Sequence, residues 1–159
     1  MTIGQNAIGA RFLETSTGAE FALGTVMKGD GDAEWMYVRA AGAITGEGYA
    51  VAIDPAASYD AAMITNAVGL RGLPVGVPGV AFADNDYGWV QIKGACNIQV
   101  AASCAANAEI ATTTTAGQLD DAAGAGTKEV LGLTLTSARA ASAGLAPGYL
   151  LYPLVYVTN

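Results

Sequence analysis

The sequence contains no histidine. That removes the side chain most often used as a general base near neutral pH, and with it every Ser-His-Asp or Cys-His arrangement. A serine or cysteine nucleophile would need another activator, and none stands out along the chain. Charge is scarce as well. Asp, Glu, Lys and Arg make up 13% of the 159 residues, against about 25% in an ordinary soluble domain. The seven basic residues, Arg11, Lys28, Arg39, Arg71, Lys93, Lys128 and Arg139, are scattered singly. No basic stripe is available to neutralise phosphates, so neither nucleic acid nor an anionic membrane is an expected partner. No run approaches the ~20 apolar residues of a membrane span, and the first residues lack the basic-then-apolar pattern of a secretory signal. The expectation is a protein made in a cytoplasm that stays soluble.

Only two cysteines are present, Cys96 and Cys104. A small disulfide-stapled scaffold would carry more. Without histidine they also fall short of the four ligands of a zinc site. Both sit among small residues, where a thiol packs as a small hydrophobe; a bond between them requires adjacent strands. No metal and no cofactor is expected.

What is abundant is small and apolar. Hydrophobic residues make up 52% of the chain, much of it alanine, and 21 glycines and five prolines cut it into short pieces. So little charge implies that part of the surface is covered by other subunits. Residues 1–31 lack a sustained pattern and read as an extended N-terminal arm, with one strand at 21–27. From residue 32 to 159 the chain reads as one β domain. Trp35 to Ala40, Tyr49 to Ile53, 97–101, 109–114 and 149–157 are β-forming runs bounded by turn residues; 61–68 fits a strand or a short helix, its neighbours favouring strand, and 119–126 reads as a loop. Asp84-Asn85-Asp86 turns a hairpin, whose return strand sends Trp89 and Gln91 one way and Val90 and Ile92 the other. Residues 128–139 alternate, which predicts Leu131, Leu133 and Leu135 on one face. Pro153 marks an edge or a bulge in the last strand. Many short strands with almost no helical period indicate an all-β fold, a β-barrel or a jelly-roll-like sandwich.

Candidate chemistry is thin. Asp30, Asp32 and Glu34, then Asp84 and Asp86, then Asp120 and Asp121 could in principle supply the carboxylate pair of a glycosidase, but each group lies in a segment that reads as a solvated turn. The stretch 29–34 lacks the glycine and glutamate of a calcium-binding loop, and no phosphate-cradling loop with its lysine is present. The strand aromatics Trp35, Tyr37, Trp89, Tyr149, Tyr152 and Tyr156 suit core packing, a subunit interface, or a sugar platform.

The segment 79–94 (GVAFADNDYGWVQIKG), followed by 102–106 (ASCAA) and 115–121 (TAGQLDD), resembles the capsid cement, or head-decoration, proteins of tailed bacteriophages. The opening pattern at 34–45 (EWMYVRAAGAIT) also looks like that family. The resemblance covers roughly residues 34–140 and carries no chemistry. It implies a β-barrel or jelly-roll-like domain, usually a homotrimer, clamped over junctions of the major capsid protein on the outside of the virion, and no enzyme. Contact residues expected on this reading are Ile3, Ile8, Phe12, Leu13, Phe21, Trp35, Tyr37, Trp89, Tyr149, Tyr152 and Tyr156. The rival is a carbohydrate- or surface-binding module of a tail fibre, which exposed aromatics would favour.

Overall fold

The computed structural model describes residues 6–7, 9–67 and 70–156; the expected contact residues Ile3 and Ile8 lie outside them. The fold is all-β, and it grows from two strands that are apolar on both faces. In β4 (Glu34–Ala40) Trp35 and Tyr37 point to one side, Val38 and Ala40 to the other, and all four are buried. In β8 (Tyr87–Val100) Trp89 and Gln91 lie opposite Val90 and Ile92, the alternation expected from the sequence. The two strands pair antiparallel, with Tyr37 opposite Trp89.

One face of each strand closes a barrel. β8 pairs with β7 (Val75–Pro78), β7 with β5 (Val51–Asp54), β5 with β6 (Asp60–Met63), and β6 returns to β4 in parallel. A single 3-10 turn, Pro55–Ala57, links β5 to β6 and is capped by the Asp54 carboxylate, which accepts from the Ala56 amide. Val38, Ile44, Val51, Ile53, Phe82 and Val90 fill this five-stranded barrel.

Five more strands are bonded outside the ring, β3 (Val26–Lys28) on β4 and four on the side of β8. β12 (Gly144–Tyr156) runs along β8 from Gly144 to Leu151, and β11 (Glu129–Leu135) runs along β12. β9 (Ala111–Thr112) joins β11 to β10 (Leu119–Asp120), and Leu119 of β10 pairs back to Val100 of β8. The pairings therefore close a second circuit that shares β8. Its core holds Ile98, Val100, Leu119, Val130, Leu135 and Leu150. β5 stands between the two cores: Val51 and Ile53 point into the barrel, Ala50 and Ala52 toward the second core. Here alanine is a packing choice, because a wall flanked by two cores has room for only one large face.

β8 is one strand of 14 residues, where the sequence suggests two. Gly94 is the device that keeps it continuous. It sits at φ +99°, and a Cβ there would lie 2.9 Å from Ala33 Cα. Glycine alone permits that conformation and that approach at little cost. The strand expected at 61–68 stops at Met63, and 109–114 shrinks to β9. Residues 119–120, read as the start of a loop, are strand β10.

The outer faces of β4 and β8 are covered by the chain's own N-terminal segment. β1 (Asn6–Ala7) and β2 (Ala10–Arg11) form a small antiparallel pair, and β3 (Val26–Lys28) adds to β4; the rest of 9–31 is irregular. Phe12 is 1% exposed, stacked on Trp35 at 5.0 Å and edge-on to Trp89 at 5.3 Å. Phe21 packs edge-on to Tyr37 and Trp89. The segment was expected to save its apolar side chains for a neighbouring subunit. From Ala10 on it spends them on the barrel wall instead, because β4 and β8 leave three large aromatics outside the barrel that water would otherwise meet.

Candidate interaction surface

This aromatic cluster decides the placement of most expected contact residues. Phe12, Trp35, Tyr37 and Trp89 are buried within the chain and Phe21 is partly buried against them. They hold the molecule together, and Phe12, Trp35, Tyr37 and Trp89, each 1–2% exposed, present almost no surface to a partner. Leu13, Tyr149, Tyr152 and Tyr156 are at least partly accessible.

The last three lie on β12, beside residues that the simple alternation missed. β11 and β12 pair from both ends, but the register shifts between Leu131 and Leu133. Gly132 there has φ +77°, and Tyr152 across from it has φ +48°. A Cβ on Gly132 would sit 2.6 Å from the Leu151 carbonyl oxygen and 3.2 Å from Pro153 Cα. The irregularity breaks the phase of both strands. On β11, Val130, Leu133 and Leu135 point inward while Leu131 points out, so the three leucines do not share a face. On β12, Leu151 and Tyr152 are both outward in succession, 56% and 51% exposed. Leu131, Leu154 and Tyr156 complete an exposed apolar row, at 40%, 38% and 40%, with Leu131 directly opposite Leu154. Pro153 falls at this bulge, beyond the last residue that β12 pairs with β8.

Polar contacts hold the row's edge. The Tyr152 hydroxyl donates to Glu34 Oε2 at 2.8 Å, and Lys93 Nζ lies 3.7 Å from Glu34 Oε1 and 5.8 Å from the Tyr152 ring centre. The Tyr149 hydroxyl donates to Asp32. These hydrogen bonds, more than burial, raise both phenols above their ordinary range.

The acidic groups considered for catalysis serve local structure. Asp84 accepts from the Gly42 amide, and Asp86 accepts from Thr15 Oγ1 and the Ala83 amide. Asn85 between them has φ +66°, the left-handed geometry expected of that turn. Asp121 accepts from the Ala105 amide, and Asp120 accepts from the Asp121 amide. Burial and the neighbouring Asp121 raise the Asp120 carboxyl. Cys104, Asp120 and Asp121 bring three possible ligand atoms within 4.8 Å of one another, one short of a tetrahedral set.

Both cysteines are free thiols. Cys104 is in the second core, and Cys96 lines a cleft of about 400 Å³ beside Trp35 and Tyr149. Among the described residues, no helix is long and apolar enough to cross a membrane. Against models of protein families, curated proteins and solved structures, the chain has no match.

Proposed function

We propose that this chain is a non-catalytic structural protein, a cement that binds the outer surface of a tailed-phage head where major capsid protein subunits meet, and does so as a homotrimer. The observation that carries the reading is the exposed apolar row on β11 and β12. A non-glycine residue held in left-handed geometry costs about 1–2 kcal/mol, and such outliers persist where a function needs them. The outlier at Tyr152 adds one aromatic to an outward row that regular alternation would leave thinner. Interfaces between copies of one chain are more apolar than other contacts, so this row suits the trimer. The resemblance at 79–94 and 34–45 supports the same reading, as does the use of the turn carboxylates as local hydrogen-bond acceptors.

The test is co-sedimentation of the purified protein with expanded heads that lack decoration, assembled from the major capsid protein of the phage that encodes it. Binding is expected to saturate at a copy number set by the capsid lattice. A protein that stays in the supernatant ends the proposal. Mass spectrometry of whole virions separates the rival: a handful of copies per particle points to a tail-fibre module.

A further inference from the structure

We propose that the cleft beside Trp35 binds a cationic alkyl group, a guanidinium or ammonium carried on an apolar stem. The cleft opens where β7 and β12 part company on the two sides of β8. Pro78 and Gly79, Pro147 to Tyr149, and Ala95 to Asn97 line it. Its volume of about 400 Å³ lies within the ~300–1,000 Å³ range of small-ligand sites.

The charge on its lining selects the ligand. Among the described residues that line it, Glu47 alone is charged. The Glu47 carboxylate accepts from Asn97 Nδ2 at 2.9 Å, and among the described residues it has no cationic partner. Lys93, two residues from Gln91 on β8, is turned to Glu34 and the Tyr152 ring. The carboxylate's field reaches into the cleft: it adds to burial in pushing the Cys96 thiol up to about 12. Glu47 itself is exposed at the rim of the cleft, where an arriving cation can meet its carboxylate directly. Aromatic rings attract the same ligands, since a cation within about 6 Å of a ring face is held by its quadrupole. Tyr149 supplies that wall, and its hydroxyl is tied to a second carboxylate, Asp32; Trp35, 2% exposed and stacked on Phe12, only backs the cleft. An anion would be repelled. A neutral polyol would find the Asn97 amide and the Thr136 hydroxyl but would leave Glu47 without its counter-charge.

Titration followed by backbone-amide NMR tests this without any capsid. N-acetyl-arginine amide and N-acetyl-lysine amide are expected to shift the amides of Ala95, Cys96 and Asn97 saturably, at least about tenfold more tightly than the neutral N-acetyl-citrulline amide; tenfold is about 1.4 kcal/mol. Glu47→Gln is expected to erase that preference. Asn97→Asp, which adds a carboxylate at the same rim, is expected to strengthen it, and keeps the test open if the first variant folds poorly. Equal binding of arginine and citrulline derivatives overturns the proposal. So does the absence of saturation by ~50 mM, far above the millimolar range that corresponds to about −4 kcal/mol. A third arm separates the two sources of such a group. If acetyl-Gly-Arg-Gly-amide binds as tightly as the single residue, the cleft takes a side chain from a protein partner. If it binds about tenfold more weakly, the cleft takes a free small amine. Because no head is involved, this result and the co-sedimentation result stand or fall separately.

Discussion

Two thiols illustrate how single residues report on the fold. Burial is the larger cause that pushes Cys96 up to about 12 and Cys104 up to about 11, with Glu47 and Asp121 adding their charge. In the unfolded chain both would titrate near ~8.5. Between these values the folded protein holds protons that the unfolded chain has released, so stability falls as pH rises. Urea unfolding is therefore expected to give a free energy that declines from about pH 8.5 toward pH 11. The decline should be steeper for the native sequence than for the variant carrying Cys96→Ala and Cys104→Ala. Parallel curves for the two proteins would show that these thiols do not titrate as described. On the same grounds a thiol reagent at neutral pH should modify the folded protein far more slowly than the denatured one.

At the scale of elements, the N-terminal segment is part of the body. Phe12 bridges Trp35 and Trp89, so Phe12→Ala opens a void under the segment. The expected loss is about 3–5 kcal/mol, a large part of the ~5–15 kcal/mol that holds a domain folded. Denaturant unfolding measures it, and a loss below about 1 kcal/mol would return the segment to the role of a loose arm. The strands themselves were legible to differing degrees. β4 and the first half of β8, up to Gly94, are readable because both carry large β-forming residues on each face. The Asp84-Asn85-Asp86 turn is readable because its chemistry is local. The burial of Phe12 and Phe21 was not readable: it depends on which faces of β4 and β8 end up outside the barrel, and that is a matter of closure. The apolar row was half readable. Tyr149, Tyr152 and Tyr156 draw notice as strand aromatics, but Leu131, Leu151 and Leu154 do not, because a period-two reading of 128–139 carries straight through Gly132 where the backbone breaks phase. A glycine in a strand interior facing a tyrosine-proline step was the available signal.

At the scale of the whole molecule, the proposed trimer is what tests the apolar row. Light scattering is expected to find a closed trimer, and Leu151→Ser with Leu154→Ser is expected to release monomers. Both side chains are exposed in the single chain, so the double variant should keep its stability to within about 0.5 kcal/mol per site. A variant that remains trimeric would move the subunit contact elsewhere. Such a molecule also has an unusual mechanical character. The barrel and the second circuit have β8 in common, as two loops of a figure eight have their crossing. Neither loop can be opened along that seam without stripping a wall from the other. A load that opens one loop at the shared strand therefore also strains the other.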